Sequence, residues 1–160
     1  MILVKLLEFR DSDLKILIET LASKQDQIVL VKWAADCAER VLCYFEEYFT
    51  EDNNPKNAIK TCRTWIDQDV SVTEARKRAF ESHETARNIE MINISACYAA
   101  RSAAQAVSTI HVSGHAVHAA TYAVKAKFYK ENTNRDEEVE IERTWQYKRL
   151  KELTEQNLIL

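Results

Sequence analysis

The stretch "AARSAAQAVSTIHVSGHAVHAATYAVKA", residues 99–126, carries the pattern that decides the fold. Alanine has the highest helix propensity of all residues, and it recurs throughout this stretch. We therefore predict one helix from about Ile92 to Val107 and another from about Ser108 to Tyr129. No strong helix breaker separates the two, so one continuous helix is the alternative.

The composition of the whole chain points the same way. The 160 residues include one glycine and one proline, which leaves almost no turn punctuation, and the Ala, Glu, Lys, Arg and Leu content favours helix. A chain of this length has the size of one domain and buries roughly two thirds of its unfolded surface. The sequence thus predicts an all-α protein, a compact bundle of six or seven helices in a single domain over residues 1–160.

Local signals place the remaining helices. Leucines and an isoleucine between Leu14 and Leu21 form an i, i+3, i+4, i+7 stripe, which predicts a short first helix. Ser71 and Glu74 form a capping box, which marks the start of a fourth helix that reaches about residue 87. The second, third and last helices are predicted at about residues 25–49, 55–68 and 137–155. We also expect Trp33 and Trp145 to be mostly buried.

The charge pattern limits the classes of partner. The net charge of −3 combines 25 acidic and 22 basic residues that are mixed along the chain, which argues against a nucleic-acid partner. No window approaches a transmembrane length, and the apolar start "MILVKLLEF" is interrupted by Lys5 and Glu8 and lacks a cleavage site. We therefore expect a cytoplasmic protein without a membrane partner. The four cysteines show no C-x-x-C pair and are expected to be reduced core thiols.

Gly114 lies inside the second of the two Ala-rich helices. Glycine there costs about 1 kcal/mol relative to alanine, so we expect a close approach to another Ala-rich helix to offset this cost. The expected neighbour is "SACYAARSAAQA", residues 95–106. On this interpretation the Gly114 helix is central, and Gly114→Leu destabilises the protein severely by overpacking.

His111, His115 and His118 lie at the spacing i, i+4, i+7, on one side of a helix. One interpretation is a metal site, in which His111 and His115 share an ion and either His118 or His83 is the third ligand. The chain lacks the Glu-x-x-His motif of carboxylate-bridged bundles, however. The other interpretation is a structural histidine edge whose rings donate to carbonyls or carboxylates of neighbouring helices.

Catalysis finds little support in the sequence. A chain with one glycine has no phosphate-cradling loop, and no serine lies on a glycine-flanked elbow. We therefore predict that the protein is not an enzyme, and that it has no catalytic residue and needs neither a metal nor a cofactor.

Arginines on Ala-rich helices need carboxylate or carbonyl partners if they are buried. Asp36 precedes Arg40 by one turn, which is the favourable order for a helical ion pair. We predict a hydrogen-bonded cluster that joins the second, fourth, fifth and sixth helices, fixes their register and presents a recognition patch where it reaches the surface. Its members are Asp36, Arg40, His83, Arg87, Arg101, His111 and His115.

Four segments in this order resemble the Imm-5-like family of putative bacterial immunity proteins: "WAADCAERVL" (33–42), "EARKRAFESHETAR" (74–87), the opening stretch (99–126) and "ERTWQYKRL" (142–150). The resemblance spans about residues 33–150. It departs at Asn54, where a basic residue is expected, at Cys43, where relatives tend to have proline, and in the first 30 residues, which have no clear counterpart. The matched positions are Trp33, Asp36, Cys37, Arg40, Ala75, Arg76, His83, Arg87, Arg101, His111, His115, Tyr122, Trp145 and Gln146.

The resemblance implies an all-helical fold and a function in binding and neutralising a cognate toxin protein. We expect this binding to be non-covalent. The expected binding residues are Trp33, Asp36, Arg40, His83, Arg87, Arg101, His111 and His115. The alternative function is a small helical metalloprotein or metal-dependent enzyme that uses the histidine cluster.

Overall fold

The computed structural model describes residues 7–159, and this part of the chain contains seven α-helices and no strand. The helices are α1 (Leu14–Ala22), α2 (Gln27–Glu46), α3 (Asn54–Asp67), α4 (Val72–Ile89), α5 (Ile94–Ser108), α6 (His115–Phe128) and α7 (Arg135–Ile159). They pack into one compact all-α domain, which confirms the predicted fold class. Residues 1–6, and with them most of the apolar start "MILVKLLEF", lie outside the described residues.

Local side-chain bonds set the starts of α4 and α5. The Ser71 hydroxyl accepts a hydrogen bond from the Glu74 backbone N–H (3.0 Å), which confirms the capping signal, and the Asn93 side chain accepts one from the Ala96 N–H (2.9 Å). Each cap satisfies one of the backbone donors that a helix start leaves without a partner.

The core forms around α2 and α5. The α2 helix packs against α3, α5, α6 and α7, and α5 packs against α2, α3, α4 and α6. Trp33 and Phe45 on α2 are completely buried, as predicted for Trp33, whereas Trp145 on α7 is partly buried. Cys37, Cys62 and Cys97 are buried, as expected of core thiols, but Cys43 is exposed.

Alanines and serines bring α4, α5 and α6 close together. Three buried serines donate across the helix interfaces to backbone carbonyls, each at 2.7–2.8 Å: Ser82 to Ala100, Ser95 to Ala126 and Ser102 to Ala119. A hydroxyl reaches the backbone of the next helix only where the side chains between them are small, and the buried positions here are largely alanine. The expected close approach therefore exists, but alanine and serine provide it.

The expectation for Gly114 is wrong. Residues 109–114 form a turn between α5 and α6, and Gly114 is the N-cap of α6, where an added Cβ would meet nothing within 4 Å. It lines an open groove of about 430 Å³. The predicted start of the second helix at about Ser108 is wrong, and so is the continuous alternative, because residues 109–114 form this turn. Gln27 Nε2 of α2 donates to two carbonyls of the turn, those of Thr109 (3.1 Å) and Ile110 (2.8 Å). This contact from a distant segment satisfies carbonyl groups beyond the end of α5.

Among residues 7–159, no helix is long and apolar enough to cross a bilayer.

Candidate functional site

The chain carries its polar side chains in two different regions, and the first lies under α7. Glu142, Arg143 and Gln146 of this helix are completely or almost completely buried. A helix that buries charge needs a partner for every charged atom, because an unpaired buried charge costs several kcal/mol. We call the polar groups that meet there the α7 network: Asp11, Asp36, Arg40, Arg63, Thr121, Lys127, Glu142, Arg143, Gln146 and Arg149.

Glu142 is the acidic centre of the α7 network. Arg40 of α2 donates to both of its carboxylate oxygens, at 2.8 Å and 3.0 Å, in the two-pronged geometry that suits a guanidinium. Lys127 of α6 lies 3.8 Å from the same carboxylate. The Arg40 guanidinium also stacks 4.0 Å from the Trp145 ring. The Glu142 carboxylate thus connects α7 to α2 through Arg40 and to α6 through Lys127.

Arg143 and Gln146 connect α7 to α6 and to the segment before α1. Arg143 donates to both Asp11 oxygens (2.9 Å and 2.7 Å), to Thr121 Oγ1 (3.0 Å) and to Gln146 Oε1 (3.0 Å). Gln146 Nε2 donates to the Ala120 carbonyl (2.9 Å). Burial acts to raise the pKa of Asp11, but the hydrogen bonds and charge of Arg143 outweigh it and lower the pKa below its ordinary value of 3.8.

Asp36 of α2 holds a second part of the α7 network. Arg149 of α7 donates to its Oδ2 (2.7 Å), and Arg63 of α3 lies 2.7 Å from its Oδ1. The expected pair between Asp36 and Arg40 is wrong, because each binds a partner from another helix instead. Trp33 lies beside this region, and its indole N–H donates to the Gln146 backbone carbonyl (2.9 Å).

The second polar region is a surface made by one stripe from each of α4, α5 and α6, together with the turn before α6. We call it the basic face. Along each helix its residues recur at a spacing of three or four, which keeps them on one side. Its members are Arg76, Phe80, His83 and Arg87 on α4, Tyr98, Arg101 and Gln105 on α5, His111 in the turn, and His115, His118, Tyr122 and Lys125 on α6.

Contacts between neighbouring stripes make the basic face continuous. Arg76 Nη2 donates to His111 Nε2 (2.9 Å), and His115 Nδ1 donates to Gln105 Oε1 (2.7 Å). At the other end, the rings of Tyr98 and Tyr122 stack with centroids 5.8 Å apart, and the Lys125 ammonium lies about 5.6 Å from both rings. On α4 the Arg87 guanidinium lies 5.9 Å from the Phe80 ring, which is 62% exposed.

All four histidines of the chain belong to the basic face. Burial, and then the charges of Arg101, Arg87 and His115, lower the pKa of His83 below its ordinary value of 6.5. Burial, and then the charges of His118 and His111, lower the pKa of His115 in the same direction. Each neighbour charge named here is a cation or a histidine, so the surroundings of both rings are electropositive.

Among the described residues, the cations of the basic face differ from those of the α7 network in their partners. Within residues 7–159, no ion pair includes Arg76, Arg87, Arg101 or Lys125. In the α7 network, by contrast, Arg40, Arg63, Arg143 and Arg149 all contact a carboxylate. The fold therefore satisfies one set of arginines internally and leaves the other set available at the surface.

The predicted hydrogen-bonded cluster is wrong: its members divide between the two regions, and among residues 7–159 no hydrogen bond joins any two of them. The structure brings His83, Arg87, Arg101, His111 and His115 together on the basic face, and it places Asp36 and Arg40 in the α7 network. Trp33 is completely buried, so a role in binding would have to act through the fold. The assignment of these residues to binding stays a prediction.

The sequence interpretation omitted several residues of the α7 network. Glu142, Arg143 and Arg149 lie in the segment "ERTWQYKRL" that carries the resemblance, and Arg63 lies outside the matched segments. An available signal was the helical register of residues 142, 143, 146 and 150, which puts two charges and an amide on the same side as Leu150. A strip of this kind indicates charges that are buried with partners.

The expected histidine helix face is also different from the structure. His111 lies in the turn before α6, His115 is the first residue of the helix, and only His118 lies well inside it. Among the described residues, no group of three or more His, Cys, Asp or Glu side chains has a geometry that could hold a metal ion.

Fold and site define a class: an all-helical protein with a polar network inside and a cationic, aromatic surface across three neighbouring helices. The family model described as "Imm-5 like putative immunity protein" matches residues 20–153, and the chain belongs to this family. The match starts before the resemblance read from the sequence, and it includes part of α1. No curated protein and no solved structure shows significant similarity to the chain.

Proposed function

We propose that this protein is an immunity protein that binds a cognate toxin non-covalently through the basic face and thereby neutralises it. Membership of a family of putative immunity proteins supports the class of function. The observation that carries the choice of surface is the set of cations on the basic face that have no carboxylate partner among residues 7–159. As part of this proposal, the protein acts in the cytoplasm as a binder and not as an enzyme.

The side-chain types of the basic face support binding to another protein. Arginine and tyrosine are enriched among residues that dominate the energy of protein interfaces, because they combine apolar area with directional hydrogen bonds. Arg87, Arg101 and Tyr122 are at least partly exposed, and rigid helices hold all three. A surface on helices that pack through their backbones loses little conformational entropy on binding.

Buried contacts beneath the basic face connect α4, α5 and α6. The serine bonds and buried alanines between these helices lie beneath the surface stripes, at positions such as Ser82 and Ser102. Residues of the basic face can therefore be changed with little effect on folding, which makes the proposal testable by substitution.

The experiment expresses the proteins encoded beside the gene of this chain one at a time, and the toxin domain is the one that stops cell growth. Cells that express the toxin domain alone should stop growing, and co-expression of the wild-type chain should restore growth. Isothermal titration with an inactivated toxin domain should then give a one-to-one complex. Failure of the chain to bind the toxin domain or to restore growth would refute the proposal for that pair. The Lys148→Glu variant, which is altered at an exposed position outside the basic face, is the matched control and should protect as the wild type does.

A further inference from the structure

We infer that the toxin surface bound by the basic face is rich in carboxylates. This inference rests on the proposed function and names the chemistry of its partner. The partner is the folded toxin protein, and the part of it that contacts the basic face is a patch of Asp and Glu side chains.

The charge of the basic face is opposite to the net charge of the chain. Arg76, Arg87, Arg101 and Lys125 carry four positive charges on a chain whose net charge is −3. The remainder of the molecule is therefore more acidic than the total indicates. An anionic partner is attracted by the basic face and repelled by the rest, which selects both the partner and the orientation in which it docks.

Salt limits the distance over which the basic face can attract an anionic partner. Charges farther apart than the Debye length, about 8 Å at physiological ionic strength, are largely screened. The attraction must then come from carboxylates that contact the three stripes directly, so local acidity on the toxin matters more than its total charge. The exposed guanidinium groups of Arg76 and Arg87 can each bind a carboxylate through two parallel hydrogen bonds.

Aromatic side chains lie among the cations, of which Phe80 is exposed and Tyr98 and Tyr122 are partly exposed. Phe80, Tyr98 and Tyr122 lie beside Arg87 and Lys125, so a bound carboxylate would sit next to apolar surface that excludes water. Exclusion of water strengthens an ion pair relative to one on an open surface. The same geometry disfavours the substrate cleft of a nuclease toxin as the contact, because a cleft that binds phosphodiesters is itself basic.

The inference is tested with charge-reversal variants and the inactivated toxin domain. The face variants are Arg87→Glu and Arg101→Glu, and the matched controls are Lys24→Glu and Lys148→Glu, which change charge equally at exposed positions outside the basic face. We expect each face variant to weaken binding about tenfold or more, the double variant to weaken it further, and each control to stay within about threefold. Circular dichroism and urea unfolding verify that every variant is folded.

Four outcomes decide on this inference and keep it separate from the proposed function. No binding of the wild-type chain to the toxin domain refutes the proposed function. Binding that the face variants weaken no more than the control variants do refutes the carboxylate inference alone. Submicromolar binding of a single-stranded RNA by the free chain at physiological salt, lost in the face variants, would identify a nucleic acid as the occupant and also overturn the inference. Recovery of affinity when a contacted toxin carboxylate is changed to lysine opposite Arg87→Glu would confirm it.

Discussion

Arginines have opposite environments in the α7 network and on the basic face. Arg143 is 1% exposed, and acceptors from Asp11, Thr121 and Gln146 surround its guanidinium. Arg87 is exposed, and its guanidinium lies near the Phe80 ring. Its charge helps to lower the pKa of His83. The same side chain is therefore buried and paired in one region and exposed in the other. We propose that the first environment stabilises the fold and that the second, on the basic face, serves binding.

The largest effect should come from the apolar residue beside the α7 network. Trp33→Ala removes a completely buried ring and leaves the Gln146 carbonyl without its donor, so it should lower the free energy of unfolding by about 3–5 kcal/mol. Urea titration measures this difference, and Trp33→Phe, which keeps most of the ring volume, should lose clearly less. A loss below about 1 kcal/mol for Trp33→Ala would contradict the role of this contact in the core.

Glu142→Gln tests the pairing that distinguishes the two regions. It leaves Arg40 and Lys127 facing a neutral group, and breaking a buried ion pair from one side costs about 3–5 kcal/mol. Because Arg40 is 31% exposed and can turn towards water, we expect about 2–3 kcal/mol here, near the lower limit of that range. The matched change on the basic face, Arg87→Gln, should alter stability by less than about 0.5 kcal/mol. Equal losses would remove the contrast between the regions.

The two regions should also respond to acid in different pH windows. The pKa values of His83 and His115 are lower in the folded chain than 6.5, so below that pH the unfolded chain binds more protons and stability falls. The lowered pKa of Asp11 acts only near and below 3.8. Between pH 7 and pH 5, the free energy of unfolding should therefore decrease in the wild type and decrease less in the His83→Gln, His115→Gln double variant. Equal slopes would show that these histidines do not carry the effect.

Gly114→Leu should have the smallest effect. The residue is exposed at the start of α6, in helical backbone with negative φ, and nothing lies within 4 Å of an added Cβ. Substitutions at such sites change stability by about 0.5 kcal/mol or less. Thermal unfolding of this variant measures the change, and a drop of several kcal/mol would restore the close-packing interpretation that the structure has replaced.

Most helices of this fold could be predicted from the sequence, because the signals that define them are local. The cap made by Ser71 and Glu74 acts over three residues, and the low glycine and proline content acts everywhere, so both were readable. The end of α5 was predicted at about Val107 and lies at Ser108, but the turn of residues 109–114 was missed, and its carbonyls bind Gln27 from a helix far away in the chain. Local reasoning paired Asp36 with Arg40, which is one turn away, whereas the fold brings Arg149 from 113 positions away.

The basic face was only partly predictable for a related reason. Positive and negative residues alternate along the chain, so the linear sequence shows no cationic patch. The patch arises when stripes such as Arg76, His83 and Arg87 on α4 come to lie beside Arg101 on α5. Helical spacing could identify each stripe, and the histidines were selected by it. Which stripes become neighbours depends on how α4, α5 and α6 pack, and this is settled by the buried alanines and serines between them.

If a toxin binds the basic face, the α7 network should stay unchanged, and the side-chain NMR signals of the chain distinguish the two regions. All four histidines lie on the basic face, whereas the Trp33 and Trp145 indoles belong to the surroundings of the α7 network. The measurement is a titration of ¹⁵N-labelled chain with the inactivated toxin domain. We expect the imidazole signals of His83, His111 and His115 to shift or broaden, while the indole signals of Trp33 and Trp145 stay in place. Binding that moves the two indole signals and leaves all four imidazoles unchanged would contradict this expectation.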